Sequence, residues 1–109
     1  MKQYGLPKKY RLLKRAEFLS RKGKPRKLHT KNFTLICSEN RGKGPRIGIV
    51  TSKKVGNAVT RNRIKRLIRE FFRLNRAGMT RSEDVIVIAK PKAQVGSYHD
   101  LERELKGLL

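Results

Sequence analysis

Residues 32–38, Asn-Phe-Thr-Leu-Ile-Cys-Ser, alternate in character. Phe33, Leu35 and Cys37 point to one side, and Thr34, Ile36 and Ser38 to the other. A period of two predicts a strand with one buried face. Residues 46–52 supply a second strand, rich in β-branched side chains. The loop between them, residues 39–46, holds two glycines and a proline, and its length suits an antiparallel hairpin joining the two strands. Residues 84–90, Asp-Val-Ile-Val-Ile-Ala-Lys, form a near-continuous apolar run, expected of a strand buried on both faces and ended by Pro91.

Between the second and third strands the period lengthens from two to 3.6. At 100° per residue, Ile64, Leu67, Ile68, Phe71 and Leu74 share one arc, with Phe72 at its edge. Gly56 permits unusual backbone angles, Asn57 is placed to cap the helix, and Gly78 fits its C-terminal stop after about Arg76. Near the end of the chain, Ser97 and Asp100 form a weak capping box, and Tyr98, Leu101, Leu105 and Leu108 follow helical spacing. Ahead of the first strand, residues 14–21 suit a short helix carrying Ala16, Phe18 and Leu19, stopped by Gly23 and Pro25. Residues 1–13 read as a basic, irregular arm, and residues 22–31 as a basic linker. The expected order is α-β-β-α-β-α, an α/β sandwich in which a small sheet is packed by helices. The 109 residues suit one domain, 1–109.

Charge changes the picture. The formal net charge is +21, and residues 1–76 account for all of it, with 24 Lys and Arg against Glu17, Glu39 and Glu70. Residues 77–109 hold five charges of each sign. Self-repulsion on this scale opposes a compact fold, and a polyanionic partner relieves it. The long helix concentrates the effect: residues 60–76 contain seven basic side chains and one acid, Glu70. Asn62, Lys65, Arg66, Arg69, Arg73 and Arg76 lie opposite the apolar arc, a cationic ridge about 20 Å long. A merely solvated face mixes signs to gain i,i+4 pairs. Arg61 and Arg63 stand within two turns of the helix start, where the dipole disfavours bases and free N–H groups attract phosphate. Phe18, among Lys14, Arg15, Arg21 and Lys22, suits either a core anchor or a ring on which a base stacks.

Catalytic chemistry is thin. His29 and His99 lack partners at metal-ligand spacing, carboxylates are too few before residue 77 for two-metal hydrolysis, and no glycine-rich phosphate loop is present. Cys37, the single cysteine, forms no intrachain disulfide and suits a packed strand position in a reducing compartment. No apolar run reaches the roughly 18 residues of a membrane span, and the basic start lacks the apolar centre of a secretory signal, so a cytoplasmic location is expected. The residues themselves indicate an RNA- or DNA-binding module without a catalytic apparatus of its own. A structural RNA-binding protein such as a ribosomal component fits the same composition.

Residues 51–73, TSKKVGNAVTRNRIKRLIREFFR, closely resemble the signature of the bacterial ribonuclease P protein subunit, with its Arg-Asn-Arg helix. RLLKRAEF (11–18), RIGIVTSKK (46–54) and DVIVIAK (84–90) are similar to its N-terminal segment and its second and third strands, so the resemblance spans roughly residues 8–108. It implies a fold like domain 2 of ribosomal protein S5, with a left-handed β-α-β crossover through the long helix, against the right-handed connection general rules favour. It also implies an accessory role in an endoribonuclease. The catalyst is an RNA subunit that removes the 5′ leader of precursor tRNA with Mg2+ bound mainly by RNA. The protein itself has no intrinsic cofactor and no obligate protein partner. Carried over by position, Arg61, Asn62, Arg63, Lys65, Arg66 and Arg69 would contact the catalytic RNA. Phe18, Ile36, Val50 and Lys54 would line the cleft for the precursor tRNA 5′ leader. Lys22 and Ile36 stand where the family often has aromatics, which implies a cleft relying less on stacking and more on charge.

Overall fold

The structure, a computed structural model, describes residues 25–40, 42, 44–79 and 82–108. The expected basic arm, the helix over 14–21 and Phe18 lie outside these residues. Four strands, β1 (Arg26–His29), β2 (Phe33–Glu39), β3 (Arg46–Val50) and β4 (Glu83–Ala89), form one sheet in the order β1-β2-β4-β3. Two α-helices, α1 (Ala58–Asn75) and α2 (Tyr98–Leu105), are each followed by a 3-10 turn, Arg76–Gly78 and Lys106–Leu108 respectively.

Alternation in β2 delivers the expected core face. Phe33, Leu35 and Cys37 are buried and sit opposite Ala89, Val87 and Val85 of the antiparallel neighbour β4. On the other side of β4, Ile47 and Ile49 of β3 lie beside Val85 and Val87 in parallel register. Onto this face α1 places Ile64, Ile68, Phe71 and Phe72, and α2 places Leu101 and Leu105, all sharing one core cluster with Val55, Ala93 and Val95. Each fully buried side chain of this size contributes about 1.5–3 kcal/mol over leaving it exposed.

Several expectations need correction. β2 and β3 form no hairpin, because β4 lies between them and pairs with both. Asn40 and Gly44 instead lie beside the start of β4. Asn40 donates from Nδ2 to Asp84 Oδ1 at 2.9 Å and to Gly44 O at 2.6 Å. Gly44 has φ +80, in the left-handed region that favours glycine, and the Arg76 guanidinium packs close against it. The supposed linker contains β1, an edge strand among the described residues, whose Lys27 and His29 are exposed. β4 is not buried on both faces: Val85, Val87 and Ala89 are, while Ile86 and Ile88 are only half-buried. In α1, Leu74 is 54% exposed although it sits on the apolar arc, and Phe72 at the arc's edge is fully buried.

The helix ends follow the sequence closely. Asn57 Oδ1 accepts from Thr60 N at 2.9 Å, and Ser97 Oγ accepts from Asp100 N at 3.3 Å. At the far end of the sheet, Arg46 grips Asp84 with two hydrogen bonds of 2.8 and 2.9 Å, and the Asp84 side chain is completely buried. Removing one partner of such a pair costs about 3–5 kcal/mol. β3, α1 and β4 form a parallel β-α-β unit, so α1 lies across the sheet with one face fixed.

Candidate nucleic-acid interface

The fixed core face of α1 determines where its cations go. Residues two apart on a helix diverge by about 200°, so Arg61 and Arg63 leave on opposite flanks, with Asn62 exposed between them. On the α2 side, Arg63 donates to Val95 O at 2.6 Å and to Gly96 O at 2.9 Å. On the β3 side, Arg61 is half-buried, with its Nε shielded from solvent and without a hydrogen-bond partner. Farther along that flank, Arg76 donates to Pro45 O at 3.0 Å. The outermost row runs Asn62, Arg66, Arg69, Arg73, with Lys65 beside it. Arg73 is bound by two hydrogen bonds to Glu70, at 3.1 and 2.7 Å, which raise its already high pKa and neutralise it locally. No carboxylate pairs with Lys65 or Arg66 among the described residues.

The six positions proposed from sequence for RNA contact therefore share one helix but not one environment. Asn62 and Arg66 face solvent, Lys65 and Arg69 are half-buried, and Arg63 is committed to the backbone ahead of α2. That commitment is invisible to periodicity, because its acceptors are main-chain carbonyls 32 and 33 residues away.

The second sheet face, opposite the helices, gathers the other group. Strand register places Lys27, Ile36, Ile86 and Gly48 in one row and His29, Thr34, Ile88 and Val50 in the next. Ile36 and Val50 thus share the face with β4 between them, and Val50 is 47% exposed. Lys54 is exposed in the turn after β3, where its carbonyl accepts from Lys92 N at 3.0 Å. Ile86, Ile88, Lys27 and His29 were missed as members of this face. The alternation inside the apolar run of β4 was available as a signal for the two isoleucines; nothing in the sequence announced β1.

Four carboxylates are engaged away from α1. Asp84 is locked to Arg46, Glu83 to Arg26 at 2.9 Å, and Asp100 to Arg103. Glu104 accepts from the Thr30 hydroxyl, the Asn32 backbone N–H and the Asn32 amide, tying α2 to the β1–β2 turn. Among the described residues no three His, Cys, Asp or Glu side chains group so as to hold a metal ion. None of the helices among them is long and apolar enough to cross a membrane.

Comparison with known proteins adds the deciding observation. The family model for ribonuclease P matches residues 6–109. The chain belongs to the ribonuclease P protein family. It is 47% identical over 109 residues to the ribonuclease P protein component of Syntrophus aciditrophicus, covering the whole of this chain and 92% of that one. It is 45% identical to that of Citrifermentans bemidjiense, covering 96% and 90%. The RNase P protein of Thermotoga maritima superposes with a TM-score of 0.77 at 30% identity, covering 91% of this chain and 94% of that one. A mutant RNase P protein of Staphylococcus aureus gives 0.80 at 34% identity, covering 93% and 86%. The chain is thus the protein subunit of the endoribonuclease ribonucleoprotein that processes tRNA 5′ ends.

Proposed function

We propose that the outer rows of α1 bind the ribonuclease P RNA and that the second sheet face receives the 5′ leader of precursor tRNA. The observation supporting the first half is Lys65 and Arg66, held side by side on a rigid helix with no carboxylate to neutralise either. Phosphates are the complementary charge, and Arg66, Arg69 and Lys65 would meet them on the RNA backbone. Arg61, Asn62 and Arg63 form the start of the same docking surface, with Arg63 already immobilised by its two carbonyls. For the leader, Ile36, Val50, Ile86 and Ile88 offer an apolar floor against which bases lie, edged by Lys27, His29 and Lys54. Phe18 would complete this cleft.

Magnesium belongs with the RNA in this reading. Asp84, Glu83, Asp100 and Glu104 are already engaged by Arg46, Arg26, Arg103 and the β1–β2 turn, so they do not suit an ion held by the protein alone. The protein acts as one domain in the cytoplasm and works by placing two RNAs against one another. The test is RNA affinity as a function of salt. Arg66→Ala should weaken binding to a bacterial ribonuclease P RNA and reduce the salt slope by about one phosphate contact. Unchanged affinity and slope would remove the ridge from the interface.

A further inference from the structure

Beside the ridge, on the α2 flank of α1, lies an open groove of about 680 Å3 between the first two helical turns and residues 92–96. Its walls combine apolar side chains, Val55, Val59, Ile64, Ala93 and Val95, with a polar share almost as large. Its charged lining residues are Arg63 and Lys92, and no acidic side chain lines it. Three features set it apart from an ordinary surface crease. Arg63 is a planar cation pinned at the groove edge by Val95 O and Gly96 O, so little side-chain freedom remains to be lost on binding. Val59 is 76% exposed, more than Leu74 or Val50, the other exposed large hydrophobics among the described residues. Lys92 occupies the left-handed region at φ 61, a conformation that costs a non-glycine residue about 1 kcal/mol or more and that concentrates at functional positions.

An inorganic anion would use the cations but not the apolar wall, and an apolar peptide the reverse. A nucleotide uses both, because its base seeks apolar and guanidinium surfaces while its phosphate seeks a cation. We propose that this groove takes one unpaired nucleotide of the RNA docked on α1. Its base lies against Val55, Val59 and Val95 and stacks on Arg63, and its phosphate meets Lys92. The inference rests on the ridge reading and adds to it a pin that fixes the register of the RNA along the helix. The stacking surface is blind to base identity, so the pin selects an unpaired nucleotide rather than a sequence.

The experiment is chemical probing of a bacterial ribonuclease P RNA saturated with the full-length protein. At least one unpaired nucleotide should be protected by the wild type and regain reactivity with Val59→Gln, a change at an exposed position that leaves the core intact. Val59→Gln should weaken binding about tenfold, the size of one lost base-stacking contact, and leave the salt slope unchanged. In a second measurement, the methyl resonances of Val55, Val59 and Val95 should shift with adenosine 5′-monophosphate and not with inorganic phosphate. If Arg66→Ala weakens RNA binding but no protection depends on Val59, the groove inference fails while the ridge stands. If Arg66→Ala has no effect, the ridge reading fails first. Equal methyl shifts with phosphate would make the groove a simple anion site. Shifts produced by raising the protein concentration alone would show it covered by a second copy. Either result overturns the proposal.

Discussion

The two helices share a construction and differ in what they show to solvent. Both begin at a polar cap, Asn57 or Ser97, and both bury an apolar stripe against the same sheet face. On α2 acids accompany the bases: Asp100 binds Arg103, and Glu102 lies 3.8 Å from the His99 ring. Glu104 turns inward to clamp the β1–β2 turn. On α1 a single acid, Glu70, serves Arg73, and Lys65 and Arg66 remain without a carboxylate. Like charges three and four residues apart cost about 0.2–0.5 kcal/mol per pair, so α1 accepts a local penalty that α2 avoids. Such a penalty, kept on a helix whose packing is otherwise orthodox, supports the proposal that this surface meets a partner.

That contrast can be broken at four levels. The largest effect lies in what the helices share. Phe71→Ala on α1 should lower stability by about 3–5 kcal/mol, and Leu101→Ala on α2 by about 2–5 kcal/mol, in denaturant titrations. A small loss at either position would mean that helix is not anchored as described. Next comes the difference itself. The pair Lys65→Ala and Arg66→Ala should reduce the salt slope of RNA binding by about 1.5, whereas Arg103→Ala with Lys106→Ala on α2 should leave it unchanged. Comparable losses from both helices would replace a defined ridge with diffuse attraction. Cap removal should then affect the helices alike, Asn57→Ala and Ser97→Ala each costing about 1 kcal/mol of thermal stability. The smallest effect separates the acids. Glu70→Gln and Asp100→Asn should each change stability by no more than about 1 kcal/mol, yet only Glu70→Gln, by releasing Arg73, should tighten RNA binding.

The helices were legible in the sequence because their signals are local. Caps, a 3.6-residue period and an excess of one charge sign all act within a few residues, and Asn57, Ser97, Ile64 and Ile68 stand where those signals put them. The sheet was less legible. Alternation shows which side chains of β2 are buried but not which strand lies beside it, and a loop of hairpin length misled because β4 inserts between β2 and β3. β1 has one apolar residue, Leu28, too few to register as a strand. Leu74 escaped the core because it lies about 100° around the helix from the centre of the buried set Ile64, Ile68, Phe71 and Phe72, which is shifted toward Phe72. In the candidate site, the outward rows of α1 followed from the wheel. Arg63's bonds to Val95 and Gly96 did not, since they depend on where a distant loop passes.

The position of β4 also bears on how the chain reaches its native state. As the third of four strands across the sheet but the last in sequence, it is the only link between the β1–β2 pair and β3. During synthesis the two parts of the sheet emerge with nothing to join them until residues 83–89 arrive. Closure of the sheet therefore waits on a long-range parallel pairing, the slow kind. Until then α1, with its six basic side chains, sits on an unfinished platform, and the nascent chain is most exposed to stray contact with any nucleic acid nearby.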